Sequence, residues 1–243
     1  MKYWIIGASS GIGKSIAIEL DKIGCDLILS SSNSNKLIEA SSKLQKNHLL
    51  LPFNLSNKDE CIRNSEIVIN KNMSSLCIIY MAAAYSPNDY NDYEKIIDIN
   101  ITGLLHVLSI TKEYLKNTHE QSKLIICSSL VAYKGLPYNQ PYSLTKAALL
   151  NLASSLSIEL RNVVDVKVIT PGFVKTQLTD KNTFPMPFII SSEKAAKIII
   201  NGINSKKYEI TFPLPMYIIM KCFQILPNFI GNYICSVIKK TTG

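Results

Sequence analysis

Short apolar runs alternate with longer amphipathic segments along most of the chain. Six short runs are mostly apolar, which is typical of strands buried on both faces. They are KYWII, CDLILS, HLLLPFN, SLCIIYMAAA, SKLIICSS and VDVKVITPG, and KYEITFP is a candidate seventh strand. Between them, apolar residues recur every three or four positions, as Ile12, Ile16 and Leu20 do. This spacing predicts helices. Their expected ranges are about 11–24, 36–46, 58–70, 93–116, 141–160 and 192–204.

The strict alternation of strand and helix predicts an α/β fold. Helices that connect parallel strands cover both faces of the sheet, so we expect a single-domain Rossmann fold with a doubly wound parallel sheet of about seven strands. Residues 1–212 would form this domain, and residues 213–243 a hydrophobic C-terminal extension. Ligands of such sheets bind beyond the carboxyl ends of the strands. We therefore expect Gly7, Ser128–Ser129 and Pro171–Gly172 to meet in one crevice.

The extension has an unusual pattern, because Leu214–Ile238 is mostly apolar with one narrow polar stripe. The stripe consists of Lys221, Gln224, Asn228, Asn232 and Ser236. Pro227 and Gly231 interrupt the segment, so it predicts two short amphipathic helices rather than one spanning helix. Three roles stay open: an interface with the domain or another subunit, a cover over an apolar substrate pocket, or peripheral membrane contact with Lys239 and Lys240 toward anionic head groups.

Composition narrows the functional classes. The chain has 243 residues and a net charge of +8, but its lysines are scattered, so nucleic acid is not an expected partner. Its six cysteines include no C-x-x-C pair, and it has three histidines, so neither a metal site nor a disulfide framework is expected. Cysteines within apolar runs fit a reducing cytoplasm. The apolar run at the N-terminus is too short for a signal peptide.

A glycine cluster follows the first predicted strand and opens the first predicted helix. In WIIGASSGIG the glycines have the spacing G-x-x-x-G-x-G rather than G-x-G-x-x-G. Glycines permit a tight turn and close approach of the backbone to a pyrophosphate, and a helix N-terminus offers unpaired N–H groups. The loop is either a phosphate-binding turn or an ordinary connection between strand and helix.

The segment YSLTK places Tyr142 and Lys146 four residues apart, on one face of a helix. A nearby ammonium favours the phenolate and would lower the tyrosine pKa, which suits a general acid or base. A surface Tyr–Lys pair would look the same. Ser129 lies thirteen residues before the tyrosine, at the end of the fifth strand, where its hydroxyl can bind a carbonyl oxygen. No histidine accompanies it in a triad pattern.

Taken together, these motifs resemble the short-chain dehydrogenase/reductase family up to about Phe212. DINITG contains the family's N-x-x-G, and PGFVKT contains its P-G-x-x-x-T. The resemblance implies that Tyr142 is the general acid in reduction and the base in oxidation. Ser129 would polarise the carbonyl, Lys146 would hold the nicotinamide ribose and lower the pKa of Tyr142, and Asn100 would hold a relay water.

The resemblance also implies a nicotinamide cofactor and a small carbonyl or alcohol substrate. The expected cofactor contacts are Gly7, Ser9, Ser10, Gly11, Ile12, Gly13, Ser31, Ser32, Asn54, Leu55, Ala82, Ala83, Asn100, Tyr142, Lys146, Pro171, Gly172, Val174 and Thr176. After the second strand, LILSSSNSNK has no acidic residue for a ribose hydroxyl, so NADP is favoured and NAD is the alternative. Asn33, Lys14 and Lys36 are further candidates near the 2′-phosphate.

Three departures from the family pattern are visible. Ile6 replaces a threonine, YMAAAY replaces N-N-A-G, and Asn54 replaces the aspartate near the adenine. The apolar loop Phe173–Ile190 would be a substrate-side lid, which with the extension suggests a lipophilic or bulky substrate. The family commonly forms dimers or tetramers through the helices carrying Asn100 and Tyr142. The alternative function is a catalytically idle dinucleotide-binding or scaffold protein.

Overall fold

The computed structural model describes residues 1–71, 75–86, 92–118, 120–137, 139–182 and 184–242. Seven strands form one parallel sheet in the order β3-β2-β1-β4-β5-β6-β9, and β7 and β8 form a separate parallel pair. The strands are β1 (Lys2–Ile6), β2 (Leu27–Ser30), β3 (Leu49–Leu50), β4 (Leu76–Tyr80), β5 (Ser122–Cys127), β6 (Val164–Pro171), β7 (Val174–Lys175), β8 (Ile190–Ser191) and β9 (Glu209–Phe212). The predicted doubly wound α/β sheet is confirmed.

Helices connect the strands and cover both faces of the sheet. They are α1 (Gly11–Lys22), α2 (Ser34–Ser41), α3 (Lys58–Asn70), α4 (Tyr93–Ile97), α5 (Gly103–Lys116), α6 (Gln140–Glu159), α7 (Ser192–Ile203), α8 (Leu214–Ile225) and α9 (Asn228–Thr242). Side chains set several of the starts: Asn33, Asn57 and Ser191 accept hydrogen bonds from the first-turn N–H groups of α2, α3 and α7.

The sheet separates two apolar cores. On one face, Trp4, Ile78 and Ile126 pack with Leu104 of α5 and Leu149 of α6. On the other face, Ile5, Ile79 and Ile125 pack with Ile16 of α1 and Ile199 of α7. Because successive residues of one strand enter opposite cores, β4 is apolar throughout, and β1 and β5 are apolar after their first one or two residues.

Strand order reverses at β1, which lies between β2 and β4. The chain moves outward to β3 and then returns to pair β4 with β1 on its other side. Such a reversal leaves a crevice above the carboxyl ends of the two central strands. A crevice lined by residues that follow β1 and β4 lies there.

Two predicted elements differ from the structure. The helix expected over 36–46 ends at Ser41, because the backbone N–H groups of Gln45 and Lys46 donate to the Asp21 carboxylate at 2.6 and 3.3 Å. The helical stretch expected over 93–116 contains a π-helical turn, Asp98–Thr102, between α4 and α5. That turn carries Asn100.

The extension forms two helices, as its pattern predicts, separated at Leu226–Pro227. Met220 of α8 is buried against Leu130 and Tyr133, which follow β5. Within the described ranges, none of the helices is long and apolar enough to cross a bilayer. The division of the chain at residue 212 into a domain and an extension stays a prediction.

Candidate active site

A crevice of about 330 Å³ opens at the carboxyl ends of the central strands. Of the nineteen expected cofactor contacts, all except Asn100 line it. The further candidates near the 2′-phosphate, Lys14, Asn33 and Lys36, are not among the lining residues. Gly7, Ser129 and Pro171–Gly172 all line it, as the strand-end argument predicts. The lining residues that the sequence did not single out as cofactor contacts are Ile6, Phe53, Met81, Ile99, Cys127, Ser128, Gln177, Leu178 and Thr179.

The glycine loop forms one end of the crevice with main-chain atoms. Gly7 has φ +98°, and a Cβ there would lie 2.6 Å from the backbone nitrogen of Ala82. A Cβ on Gly13 would lie 2.1 Å from the carbonyl oxygen of Gly7. The turn therefore closes only with glycine at both positions, and it brings the N-terminus of α1, with its unpaired N–H groups, into the crevice. These features fit a bound pyrophosphate.

Hydroxyl groups surround the end of β2 beside the glycine loop. Ser31 donates to the Ser9 hydroxyl at 2.7 Å and accepts from the backbone N–H of Asn33 at 3.3 Å. The Asn33 side-chain oxygen caps α2 by accepting from the N–H of Lys36. Ser32 is exposed at the crevice wall, just before the N-terminus of α2. Donors and a positive helix end thus face the place where a ribose or its phosphate would lie.

Helix α6 brings Tyr142 and Lys146 to the opposite end of the crevice. Lys146 is 1% exposed, and its ammonium donates to the carbonyl of Cys127 at 2.8 Å. The ammonium lies 5.3 Å from the centroid of the Tyr142 ring. The predicted Tyr–Lys pair therefore shares one helix face and points into the crevice. Burial lowers the pKa of the lysine.

Ser129 completes this end of the crevice, where it accepts from the N–H of Val131 and caps a short 3₁₀ turn. Burial raises the pKa of the Tyr142 phenol, nearby Cys127 and Tyr85 add to the rise, and a hydrogen bond with Ser129 opposes it. The expected lowering of this pKa by Lys146 is therefore wrong for the structure described. The ammonium is turned toward the Cys127 carbonyl, and desolvation of the phenol dominates.

Asn100 lies behind the crevice wall, fully buried in the π-helical turn. Its amide nitrogen donates to Ala84 O at 3.1 Å and to Thr145 Oγ1 at 2.9 Å, and its oxygen accepts from Ala84 N at 2.7 Å. It therefore connects the segment after β4 to α6. Both amide protons are used, while the oxygen keeps a second lone pair.

The structure shows how the departures from the family pattern are accommodated. Ile6 is buried in β1 and its side chain joins the apolar core. Tyr80 ends β4, opposite Ile6, and its hydroxyl donates to the Ile99 carbonyl at 2.5 Å. A buried tyrosine thus braces the π-helical turn. The Asn54 oxygen accepts from the N–H of Ser56, and the residue lines the crevice.

Tyr85 contacts Tyr142, and the sequence did not predict this contact. The Tyr85 ring packs edge-on against Tyr142, with centroids 5.1 Å apart. Its hydroxyl donates to Asn182 Oδ1 at 2.8 Å, which connects it to the predicted lid. Residue 183 of the predicted lid is outside the described ranges. The rings of Phe173 and Phe184 pack edge to face with their centroids 6.0 Å apart, and Phe188 is 52% exposed. The apolar segment YMAAAY gives no sign of this contact, because it depends on a residue 97 positions away.

Comparisons with known proteins agree with this geometry. The family model described as short chain dehydrogenase matches residues 3–185. The curated 3-oxoacyl-(acyl-carrier-protein) reductase FabG of Rickettsia prowazekii (strain Madrid E) is 35% identical over 186 residues, which cover 73% of this chain and 74% of that protein. A short-chain dehydrogenase from Sphingobium yanoikuyae in complex with NADPH superimposes with a TM-score of 0.76 at 19% identity, covering 88% of both chains. A short chain dehydrogenase/reductase from Burkholderia phymatum in complex with NAD gives 0.81 at 16% identity, covering 90% of this chain and 91% of that one.

Proposed function

The chain belongs to the short-chain dehydrogenase family, and from this premise we propose that it is an NADP-dependent reductase of a lipophilic or bulky carbonyl compound. Family membership makes it an oxidoreductase that interconverts carbonyl and alcohol groups. The observation that carries the proposal is the meeting of Ser129, Tyr142 and Lys146 in one crevice with the glycine loop.

The proposed mechanism divides the work among these side chains. A bound nicotinamide supplies the hydride. The Ser129 hydroxyl and the Tyr142 phenol, which are hydrogen-bonded to each other, both bind the substrate carbonyl oxygen. Tyr142 then donates its proton to that oxygen as the alcohol forms. Lys146 holds the ribose and supplies positive charge beside the phenol.

The ionisation state of Tyr142 supports the reducing direction. Because burial raises its pKa, the phenol is protonated at neutral pH and is ready to act as an acid. Asn100 would hold the relay water through the free lone pair of its oxygen, while its amide protons fix α6 relative to the chain after β4. The two roles are compatible.

The end of β2 supports the preference for NADP. An acidic residue that bound the ribose hydroxyl would repel a 2′-phosphate, and the first one after β2 is Glu39. Ser32 offers a hydroxyl donor beside the N-terminus of α2, which favours an anion, and Ser31 lines the crevice while its hydroxyl donates to Ser9. The relative from Sphingobium yanoikuyae was solved with NADPH, and the one from Burkholderia phymatum with NAD.

The proposed substrate class rests on the predicted lid. Phe184, Phe188 and Ile189 are exposed, and they follow the crevice-lining residues 171–179 in the chain. Exposed apolar side chains in a loop that continues from a site favour an apolar ligand. The Rickettsia relative is named as a reductase of 3-oxoacyl groups, which fits a carbonyl on an aliphatic chain.

We also propose a homodimer or homotetramer formed through α5 and α6. Leu105, Leu144 and Ile158 of these helices are exposed apolar residues. Light scattering of the purified chain would give a mass of two or four protomers, and a monomer would contradict the proposal. All six cysteines are free thiols, which fits the cytoplasm that we propose as its location.

The proposed function is tested by replacing Tyr142 with Phe. We expect Tyr142→Phe to lower NADPH-dependent turnover of 3-oxoacyl thioesters and long-chain ketones by at least about 10³-fold, because the proton donor is lost. NADPH binding, followed by fluorescence, should change by less than about threefold, because the ring is retained.

Tyr208→Phe is the matched control, since this tyrosine lies outside the crevice lining. It should keep normal turnover. Near-normal turnover by Tyr142→Phe would overturn the mechanism. Tight NADPH binding without turnover of any carbonyl compound would instead favour the catalytically idle protein.

A further inference from the structure

Helix α8 exposes its apolar face to solvent. Leu214, Ile218, Ile219 and Ile225 are 62%, 53%, 43% and 82% exposed. A surface helix of an isolated globular domain normally shows the opposite arrangement, with the apolar stripe facing the core. The arrangement leaves a row of large aliphatic side chains in water, which is costly unless something covers them.

The opposite side of α8 is firmly held by the core, so its orientation is fixed. Met220 is buried against Leu130 and Tyr133. The Lys221 ammonium lies 4.0 Å from the centroid of the Tyr133 ring. Tyr133 also donates to the carboxylate of Glu209, which accepts from Thr170. A cation–π contact and a half-buried carboxylate therefore occupy the core side of the helix.

Helix α9 repeats this arrangement. Phe229 and Tyr233 are 76% and 71% exposed, whereas Gly231 and Cys235 on the other side are buried. We call the exposed residues of both helices the tail patch, which consists of Leu214, Ile218, Ile219, Ile225, Phe229 and Tyr233. Aliphatic residues together with an amphipathic tyrosine are typical of helices that lie in the interface of a bilayer.

Charge indicates what covers the tail patch. The sequence after Glu209 contains no Asp or Glu, and its charged residues are Lys221, Lys239 and Lys240. A second copy seated symmetrically on the patch would bring together two extensions whose charged side chains are all positive, with no carboxylate from either extension to pair with them. An anionic lipid surface supplies both the apolar layer and the negative charge.

We propose that α8 and α9 dock the protein on the surface of an anionic lipid bilayer without crossing it. The geometry would bring the crevice near the lipid, because the Pro213 ring just before α8 lies close to Gly172, which lines the crevice. The proposal goes beyond the proposed function and does not depend on turnover.

Vesicle co-sedimentation of the full chain tests the proposal. Phosphatidylcholine vesicles with phosphatidylserine should bind the protein, and pure phosphatidylcholine vesicles should bind it more weakly. The double variant Ile218→Glu/Ile225→Glu should lower binding to the anionic vesicles by more than about tenfold, because it removes apolar contact and adds negative charge. Ile38→Glu is the matched control: this isoleucine of α2 is 55% exposed and should keep full binding.

A second variant measures the contribution of lysine charge to vesicle binding separately from that of apolar contact. Lys239→Gln/Lys240→Gln should weaken binding to the anionic vesicles by roughly fivefold for each lysine and leave binding to neutral vesicles unchanged. Failure of the parent chain to bind anionic vesicles would overturn the proposal, and so would equal binding by the Ile218→Glu/Ile225→Glu variant. A lower oligomeric mass of that variant in solution, with vesicle binding retained, would show instead that the tail patch joins two copies.

Discussion

The two ends of the crevice are built in opposite ways. At the end formed by the glycine loop, glycines bring main-chain atoms so close together that a single added methyl group would collide with the backbone. At the opposite end, which contains Tyr142 and Lys146 of α6 and Ser129 after β5, buried polar side chains converge and form hydrogen bonds. The first end requires residues without side chains, whereas the second requires particular polar side chains. Added atoms should therefore damage the first end, and deleted polar groups the second.

The largest effect is expected from removing a charge at the end of the crevice that contains Tyr142. Lys146→Met keeps the length of the side chain but removes the ammonium that lies beside Tyr142. We expect turnover to fall by about 10²- to 10⁴-fold. The measurement is kcat of the folded protein with NADPH.

Lys167→Met is the matched control for that variant. Lys167 is also a buried lysine, and its ammonium donates to the carbonyls of Ser205 and Lys207 outside the crevice lining. It should lose stability while the folded fraction keeps its kcat. Equal kcat for the two variants would mean that burial, and not position beside the phenol, explains the loss.

The next largest effect is expected from adding a methyl group in the glycine loop. A Cβ on Gly13 would lie 2.1 Å from Gly7 O, so Gly13→Ala should lower the free energy of unfolding by about 3 kcal/mol and weaken NADPH binding. Denaturant unfolding and fluorescence titration measure the two effects. Gly135→Ala is the control, because a Cβ there meets no atom within 4 Å. Similar unfolding free energies for the two variants would contradict the close approach at Gly13.

A smaller effect is expected from a charge beside β2. Ser32→Asp should reduce the preference for NADPH over NADH by about tenfold, because the carboxylate would repel a 2′-phosphate and accept from a 2′-hydroxyl. The ratio of kcat/KM for the two cofactors measures the change. Ser32→Ala removes only a hydroxyl and should reduce the ratio less. An unchanged ratio in Ser32→Asp would place the 2′ position elsewhere.

The smallest effect is expected from pH. The raised pKa of Tyr142 keeps its acid form across neutral pH, so kcat/KM for reduction should change by less than about twofold between about pH 6 and pH 9. The rate should fall only when the pH rises through the pKa of the phenol. Oxidation of the alcohol needs the phenolate and should become faster over the same interval. A reduction rate that halves near pH 7 would contradict a raised pKa.

Much of the fold could be predicted because it depends on local patterns. Apolar runs predicted the strands, and apolar residues three or four positions apart predicted the helices. The π-helical turn around Asn100 was not predictable, since DINITG continues a regular helical pattern and the turn is braced by Tyr80, nineteen positions away in the chain. The early end of α2 likewise depends on Asp21, a residue of α1.

The sequence by itself determined where the crevice lies and most of the residues that line it, because the carboxyl ends of parallel strands meet at one edge of a sheet. It also determined that the extension would form two amphipathic helices. Tertiary structure decided the direction of the Tyr142 pKa shift. The shift depends on desolvation of the phenol and on the hydrogen bond that the Lys146 ammonium donates to the Cys127 carbonyl. Tertiary structure also decided that Tyr85 connects the lid to Tyr142, and that α8 turns its apolar face outward. Each of these outcomes depends on contacts between distant segments, and periodicity within one segment carries no information about its distant neighbours.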